Sequence, residues 1–288
     1  MADSATLAPA KVNLFLHVGP LDADGYHPLA SLVAFADVGD RISVKPAGGL
    51  SLAVTGPFGE ALAAGADNLV LRAVRALGEA AGIGEPALAF TLDKRLPIAA
   101  GLGGGSSDAG AALKLARDAL GLSLDDDALA DIAGRIGADG PMCLHARAAW
   151  AGGRGDRLRF EPALPPLPAL LVNPGVPSPT GAVYGAYDAG LPADADFPPP
   201  PVDWSPAAVT GWLARQRNDL EASAVALSPA IGEALATVRD LPGARLTRMS
   251  GSGATVFALF DDLASARAAG SLLANARPEW WIAAASLR

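Results

Sequence analysis

The chain has 288 residues, 51% hydrophobic and 18% charged, with a formal net charge of −8 and no lysine- or arginine-rich run. That balance excludes a disordered segment and argues against nucleic acid or an anionic membrane as a main partner. The length suits one large or two modest domains, no apolar run approaches the ~20 residues of a membrane span, and no secretion signal opens the chain, so the expected location is the cytoplasm.

Residues 6–18 read as an opening strand, with Val12, Leu14 and Leu16 alternating against Lys11, Asn13 and Phe15. A turn-rich segment, 19–27, precedes three short strand candidates at 29–35, 40–44 and 50–54. Apolar residues at helical spacing predict a helix over 68–81, and 88–92 has the length and composition of a strand. Next comes Pro-Ile-Ala-Ala-Gly-Leu-Gly-Gly-Gly-Ser-Ser-Asp-Ala, residues 97–109. Beyond it Ala109, Ala112, Leu113, Ala116 and Leu120 recur at helical spacing, and Gly121 stands where a helix stop belongs. A second helix, 125–136, closes on Gly137 and leads into Gly-Ala-Asp-Gly-Pro. The single cysteine, Cys143, lies in the apolar run Met142-Cys143-Leu144; it excludes an intramolecular disulfide and reads as buried packing.

Residues 148–160 resemble a glycine-interrupted hairpin, 169–173 a buried strand, and 191–206 a proline-rich surface loop. Helices at 207–215, at 220–226 with more helix to 240, and at 264–276, and strands at 245–249, 255–260 and 281–285, complete the chain. Strands first and helices later make this an α+β protein, divided near residue 160, and not a doubly wound sheet.

The loop at 97–109 hands a strand to a helix, and that geometry suits an anion. Glycines allow close approach and positive φ, and the first amides of the helix have no intrahelical partner. Ser106, Ser107 and Asp108 lie where N-caps belong. A phosphate site at this helix start follows, with a capped glycine turn as the plainer alternative. The pattern Gly-x-x-x-x-Gly-Lys-Ser/Thr is absent, and Ser106 stands where a dinucleotide fingerprint needs glycine or alanine.

Three segments in order, Pro9-Ala10-Lys11-Val12-Asn13-Leu14, the loop 97–109 and Met249-Ser250-Gly251-Ser252-Gly253-Ala254, resemble the GHMP kinase superfamily of galactokinase, homoserine kinase, mevalonate kinase and phosphomevalonate kinase. The opening together with Asp24-Gly25-Tyr26-His27 resembles most the members that act on 4-diphosphocytidyl-2-C-methyl-D-erythritol. The resemblance implies a two-domain fold, a ribosomal-S5-domain-2-like half at 1–160 and a ferredoxin-like half at 161–288. It also implies ATP and Mg2+, a small-molecule acceptor, and a monomer or weak homodimer.

It implies roles for single residues as well. Asp139, which sequence alone reads equally as a base or a helix N-cap before Pro141, becomes the general base. Lys11, otherwise a solvated strand lysine, becomes the cation beside it. Pro97, Ile98, Ala99, Ala100, Gly101, Leu102, Gly103, Gly104, Gly105, Ser106 and Ser107 form the nucleotide loop, with Asn68 and Lys94 lining the ATP pocket or serving the fold. Asn13, Tyr26, His27, Thr180 and Tyr184 would bind substrate, the aromatic rings facing a pyrimidine. A homoserine- or mevalonate-type kinase, or a non-catalytic nucleotide-binding member of the fold, is the competing reading.

Overall fold

The computed structural model describes residues 4–60, 62, 68–190 and 193–288. The chain packs as two compact units: residues 1–11, 38–98 and 103–146 form one, and residues 12–37, 99–102 and 147–288 form the other. Two long strands, β1 (Ser4–Val18) and β2 (Leu29–Pro46), carry the chain through both units.

In the first unit β3 (Ser51–Thr55) runs parallel to β4 (Leu88–Asp93), which pairs antiparallel with residues 41–46 of β2. The parallel pair requires a crossover, and α1 (Leu69–Ala80) lies within it. Asn68 caps α1 by accepting from the Val70 amide. Three more helices follow: α2 (Gly104–Leu120), α3 (Asp126–Ile136) and α4 (Gly140–His145). Gly121, left-handed at φ 63°, ends α2, and Asp125 caps α3 through the Ala128 amide. Their apolar faces, among them Val74, Leu77, Leu113, Ala116, Leu129 and Ile132, close on Ile42, Phe90 and Leu92 of the strands.

In the second unit β8 (Leu246–Met249), β9 (Val256–Leu259), β7 (Leu167–Asn173) and β10 (Trp281–Leu287) lie side by side in that order, each pair antiparallel. The hairpin β5 (Ala149–Gly153) and β6 (Arg157–Phe160) pairs through β5 with residues 29–33 of β2. Helices α5 (Thr180–Asp188), α6 (Pro206–Leu213), α7 (Glu221–Leu227), α8 (Pro229–Arg239) and α9 (Leu263–Ala276) complete the unit. Leu170, Val172, Val256, Ile231, Val238 and Leu273 meet in its core.

Several expectations are corrected here. β1 does not alternate between core and water: residues 10–19 are all buried, Lys11 and Asn13 included. The strands expected at 29–35 and 40–44 are one strand, because Gly39 is read as a break but serves a close approach. A Cβ there would stand 2.1 Å from the Ala8 carbonyl oxygen. The helix expected at 220–226 is α7, and the further helix expected to 240 is a separate element, α8, divided from it at Ser228 and opened by Pro229. Two short helices, α4 and α5, are not among the expected elements, although α4 follows Asp139, which the sequence reads as a possible helix cap before Pro141.

Of the proline-rich stretch, Leu191 and Pro192 lie outside the described residues. The rest, 193–205, is irregular backbone held by named contacts. His17 Nδ1 meets the Asp196 carbonyl at 2.8 Å, Trp212 Nε1 donates to the Pro199 carbonyl, and Phe197 stands edge-on to Trp150.

Candidate active site

Lys11 and Asp139 come together in the first unit. Lys11 projects from a strand buried on both faces, and Asp139 stands at the residue before α4. Asp139 occupies the cap position, yet its side chain caps no amide; its Oδ2 accepts from Lys11 Nζ at 3.1 Å. The lysine side chain is 8% exposed and the aspartate 38%, so the ammonium is enclosed while the carboxylate meets solvent. That is the arrangement of a carboxylate oriented by a cation and kept within reach of a reactant.

The glycine turn lies against the same lysine. Gly103 takes a left-handed φ of 61°, and a Cβ on it would stand 3.2 Å from Lys11 Cβ and 3.3 Å from Cys143 Sγ. Helix α2 starts at Gly104, so Ser106, Ser107 and Asp108 fall inside its first turns and not at its cap. The sequence-based placing of the caps at Ser106, Ser107 and Asp108 is therefore three to five residues late, the cap position being Gly103: glycine in the left-handed region starts the helix without a side-chain acceptor. No side chain caps the helix. The Ser107 amide is the first to find an intrahelical carbonyl, that of Gly103 at 2.9 Å, which leaves the amides of residues 104–106 for an external acceptor.

Beneath that turn lies a buried ionic cluster that no sequence pattern signals. Lys94 Nζ donates to Asp40 Oδ2 at 2.5 Å and to Asp108 Oδ2 at 2.8 Å, with all three side chains almost fully enclosed. Asp40 Oδ1 also accepts from the amides of Arg95 and Leu96, fixing the entry to the glycine loop. A Cβ on Gly104 would approach Lys94 Nζ to 3.1 Å. Burial works against the ammonium, but Asp108 and then Asp40 outweigh it and hold the Lys94 pKa above its ordinary value. Burial pushes the Asp108 carboxyl up to about 7, opposed by Lys94 and reinforced by Asp40. Asp108 Oδ1 has no hydrogen-bond partner, and Ser107 Oγ, beside the Cys143 thiol, makes no hydrogen bond of ordinary geometry. Burial, and then the Asp139 charge, push the thiol itself up to about 12.

The remaining residues of the loop do different work. Pro97 is half-buried and Ile98 exposed. In the second unit the Ala100 carbonyl accepts from the Thr255 amide, Leu102 is buried, and Gly101 packs so closely that a Cβ would stand 2.3 Å from the Ser250 carbonyl oxygen. Ala99 holds a left-handed φ of 52°. Ser250 ties this strip down: its hydroxyl donates to the Gly101 carbonyl at 2.9 Å and accepts from the Asn13 amide at 3.2 Å. Asn218, which sequence reading misses, donates from Nδ2 to the carbonyls of Met249 and Gly251.

The expected substrate residues Asn13, Tyr26, His27, Thr180 and Tyr184 all belong to the second unit. Asn13 donates to Ser31 Oγ, and its buried Oδ1 has no partner. Tyr26 is half exposed, with its amide and that of Asp24 both donating to Asp22 Oδ1. His27 is held at both nitrogens, Nδ1 at 2.8 Å from the Gly19 carbonyl and Nε2 at 3.3 Å from Asp188. The Tyr184 ring centroid lies 5.0 Å from that of His27, so these two aromatic groups adjoin. Thr180 Oγ1 pairs with Ser252 Oγ at 3.0 Å. Among the described residues no group of three or more His, Cys, Asp or Glu is placed to hold a metal ion, and no helix is long and apolar enough to cross a membrane.

Comparison with known proteins accords with this geometry. Residues 68–147 match the model of the GHMP kinases N terminal domain and residues 210–276 that of the GHMP kinases C terminal. The chain is 55% identical over 281 residues to a 4-diphosphocytidyl-2-C-methyl-D-erythritol kinase of Caulobacter vibrioides, covering 96% of this chain and 97% of that one. It is 50% identical to the protein of the same name from Methylobacterium radiotolerans, over 99% of each chain. The crystal structure of a 4-(cytidine 5'-diphospho)-2C-methyl-D-erythritol kinase superposes with a TM-score of 0.79 at 38% identity over 99% of both chains. A homoserine kinase from Cytophaga hutchinsonii shares the fold at a TM-score of 0.70 and 19% identity, over 99% of this chain and 96% of that one. The chain belongs to the GHMP kinase family and, within it, to the 4-diphosphocytidyl-2-C-methyl-D-erythritol kinases.

Proposed function

We propose that the chain transfers the γ-phosphoryl group of ATP to the 2-hydroxyl of 4-diphosphocytidyl-2-C-methyl-D-erythritol, giving the 2-phosphate and ADP. The observation that carries this reading is the Lys11–Asp139 pair packed beside a glycine turn whose amides are left open. Phosphoryl transfer asks little covalent work of a protein: it needs the two reactants aligned, the developing charge met, and the hydroxyl proton accepted.

Asp139 accepts the proton of the 2-hydroxyl as its oxygen bonds to the γ-phosphorus, and the bond from that phosphorus to the β-bridging oxygen breaks to release ADP. Lys11 orients the Asp139 carboxylate and faces the charge that builds on the transferring group. The amides of residues 104–106 and the hydroxyls of Ser106 and Ser107 hold the phosphates. The nucleotide arrives as its magnesium complex, the ion supplying neutralisation of the β- and γ-phosphates. Tyr26, His27 and Tyr184 receive the cytosine, with Asn13 and Thr180 as polar contacts. The enzyme works in the cytoplasm, as a monomer or weak homodimer.

A panel of acceptor alcohols scored by ADP release tests the assignment. Turnover with the cytidine diphosphate substrate and none with homoserine or mevalonate is the expected result; ATP binding without turnover on any acceptor would overturn it.

A further inference from the structure

Arg154 does not enter the chemistry above, and its position calls for an explanation. It sits at the tip of the β5–β6 hairpin, where Gly153 at φ 65° and Gly155 at φ 95° allow a tight reversal and Asp156 Oδ1 accepts the Arg154 amide at 2.9 Å. The side chain, 42% exposed, folds back over the neighbouring turn. Its guanidinium carbon stands 3.8 Å from the centre of the Tyr26 ring, and Nη2 donates to Asp24 Oδ2 at 3.1 Å. The pairing of Leu29 with Gly153 brings the hairpin tip beside the turn that bears Tyr26.

A planar guanidinium over an aromatic face is an attractive contact. It covers one face of a ring that is otherwise half exposed and opposes its rotation. A ring held in one orientation loses less freedom when a flat base stacks on its other face. Asp22 accepts from the turn amides of Asp24 and Tyr26, and Arg154 adds a tie to Asp24 while its guanidinium lies over the ring itself.

We infer that Arg154 is a positioning residue for the acceptor: it backs the Tyr26 ring and presents its opposite face to the pyrimidine base of the substrate. The inference rests on the functional reading above, and it locates part of the base selectivity on the hairpin tip.

Steady-state kinetics of Arg154→Ala and Arg154→Lys, in wild-type and Tyr26→Ala backgrounds, test it. In the wild-type background Arg154→Ala raises KM for the cytidine diphosphate acceptor about two- to fivefold, the range of an exposed cation–aromatic contact. Neither kcat nor KM for ATP changes, and Arg154→Lys recovers part of the loss. Tyr26→Ala alone raises the same KM about tenfold, and adding Arg154→Ala to it has no further effect. An equal loss in both backgrounds, a loss confined to kcat or to ATP, or no loss at all overturns the inference. A wild-type enzyme that does not turn over this acceptor overturns the functional reading instead.

Discussion

Lys11 Nζ and Asp139 Oδ2 lie 3.1 Å apart although 128 residues separate them in the chain. The pair joins an enclosed ammonium to a carboxylate that solvent reaches. Asp139→Asn keeps the shape and removes the proposed proton acceptor. It is expected to lower kcat by about two to four orders of magnitude, the usual worth of a positioned base, with ATP affinity unchanged by calorimetry. Lys11→Ala is expected to lose most turnover as well. Near-normal turnover of Asp139→Asn would remove the base assignment.

Asp108 links folding stability to pH. Its folded pKa, about 7, stands above the ordinary carboxylate value of 3.8, so between those limits the folded chain binds more protons than the unfolded chain. Stability contributed by this group is therefore full below about pH 4 and falls as pH rises through about 7. Asp108→Asn removes one of two carboxylates that share a single ammonium. Thermal unfolding midpoints measured from pH 5 to 8 should fall less steeply in Asp108→Asn than in the parent, and parallel curves would refute the linkage.

Two exchanges of alanine and glycine, two residues apart, should behave oppositely. Gly101→Ala places a Cβ 2.3 Å from the Ser250 carbonyl oxygen at a φ of +73°. It should cost about 2 kcal/mol or more, read by denaturant titration. Ala99→Gly relieves a left-handed alanine at φ 52° but frees the unfolded chain, so it should change stability by less than about 1 kcal/mol.

Cys143 should be inert in the folded protein. Burial holds its thiol at a pKa of about 12, and its exposed area is negligible. A thiol-reactive disulfide reagent at pH 8 is expected to count no thiol in the native protein and one per chain in denaturant; rapid native labelling would contradict the enclosed position.

The segments proposed to carry the chemistry are readable along the chain because each is local. A strand, a glycine run, two serines and a periodic helix read as a phosphate loop or a capped glycine turn, and Lys11 and Asp139 take their proposed roles from the resemblance of the continuous stretches around them. Helices α1 and α3 could be read for the same reason, since hydrophobic period acts over a few residues; their caps, Asn68 and Asp125, come from the structure. What only the tertiary structure decided rests on contacts between distant segments. Local pattern placed the α2 cap late, split β2 at Gly39, and had no means of seeing that the Ala8 backbone passes there. Nor does any spacing announce that Asp40, Lys94 and Asp108 share one buried charge cluster, or that Arg154 stacks on Tyr26 across 128 positions. Hydrophobic period and turn chemistry are written residue by residue, whereas a buried ion pair or a ring contact exists only after loop closure has brought its two halves together.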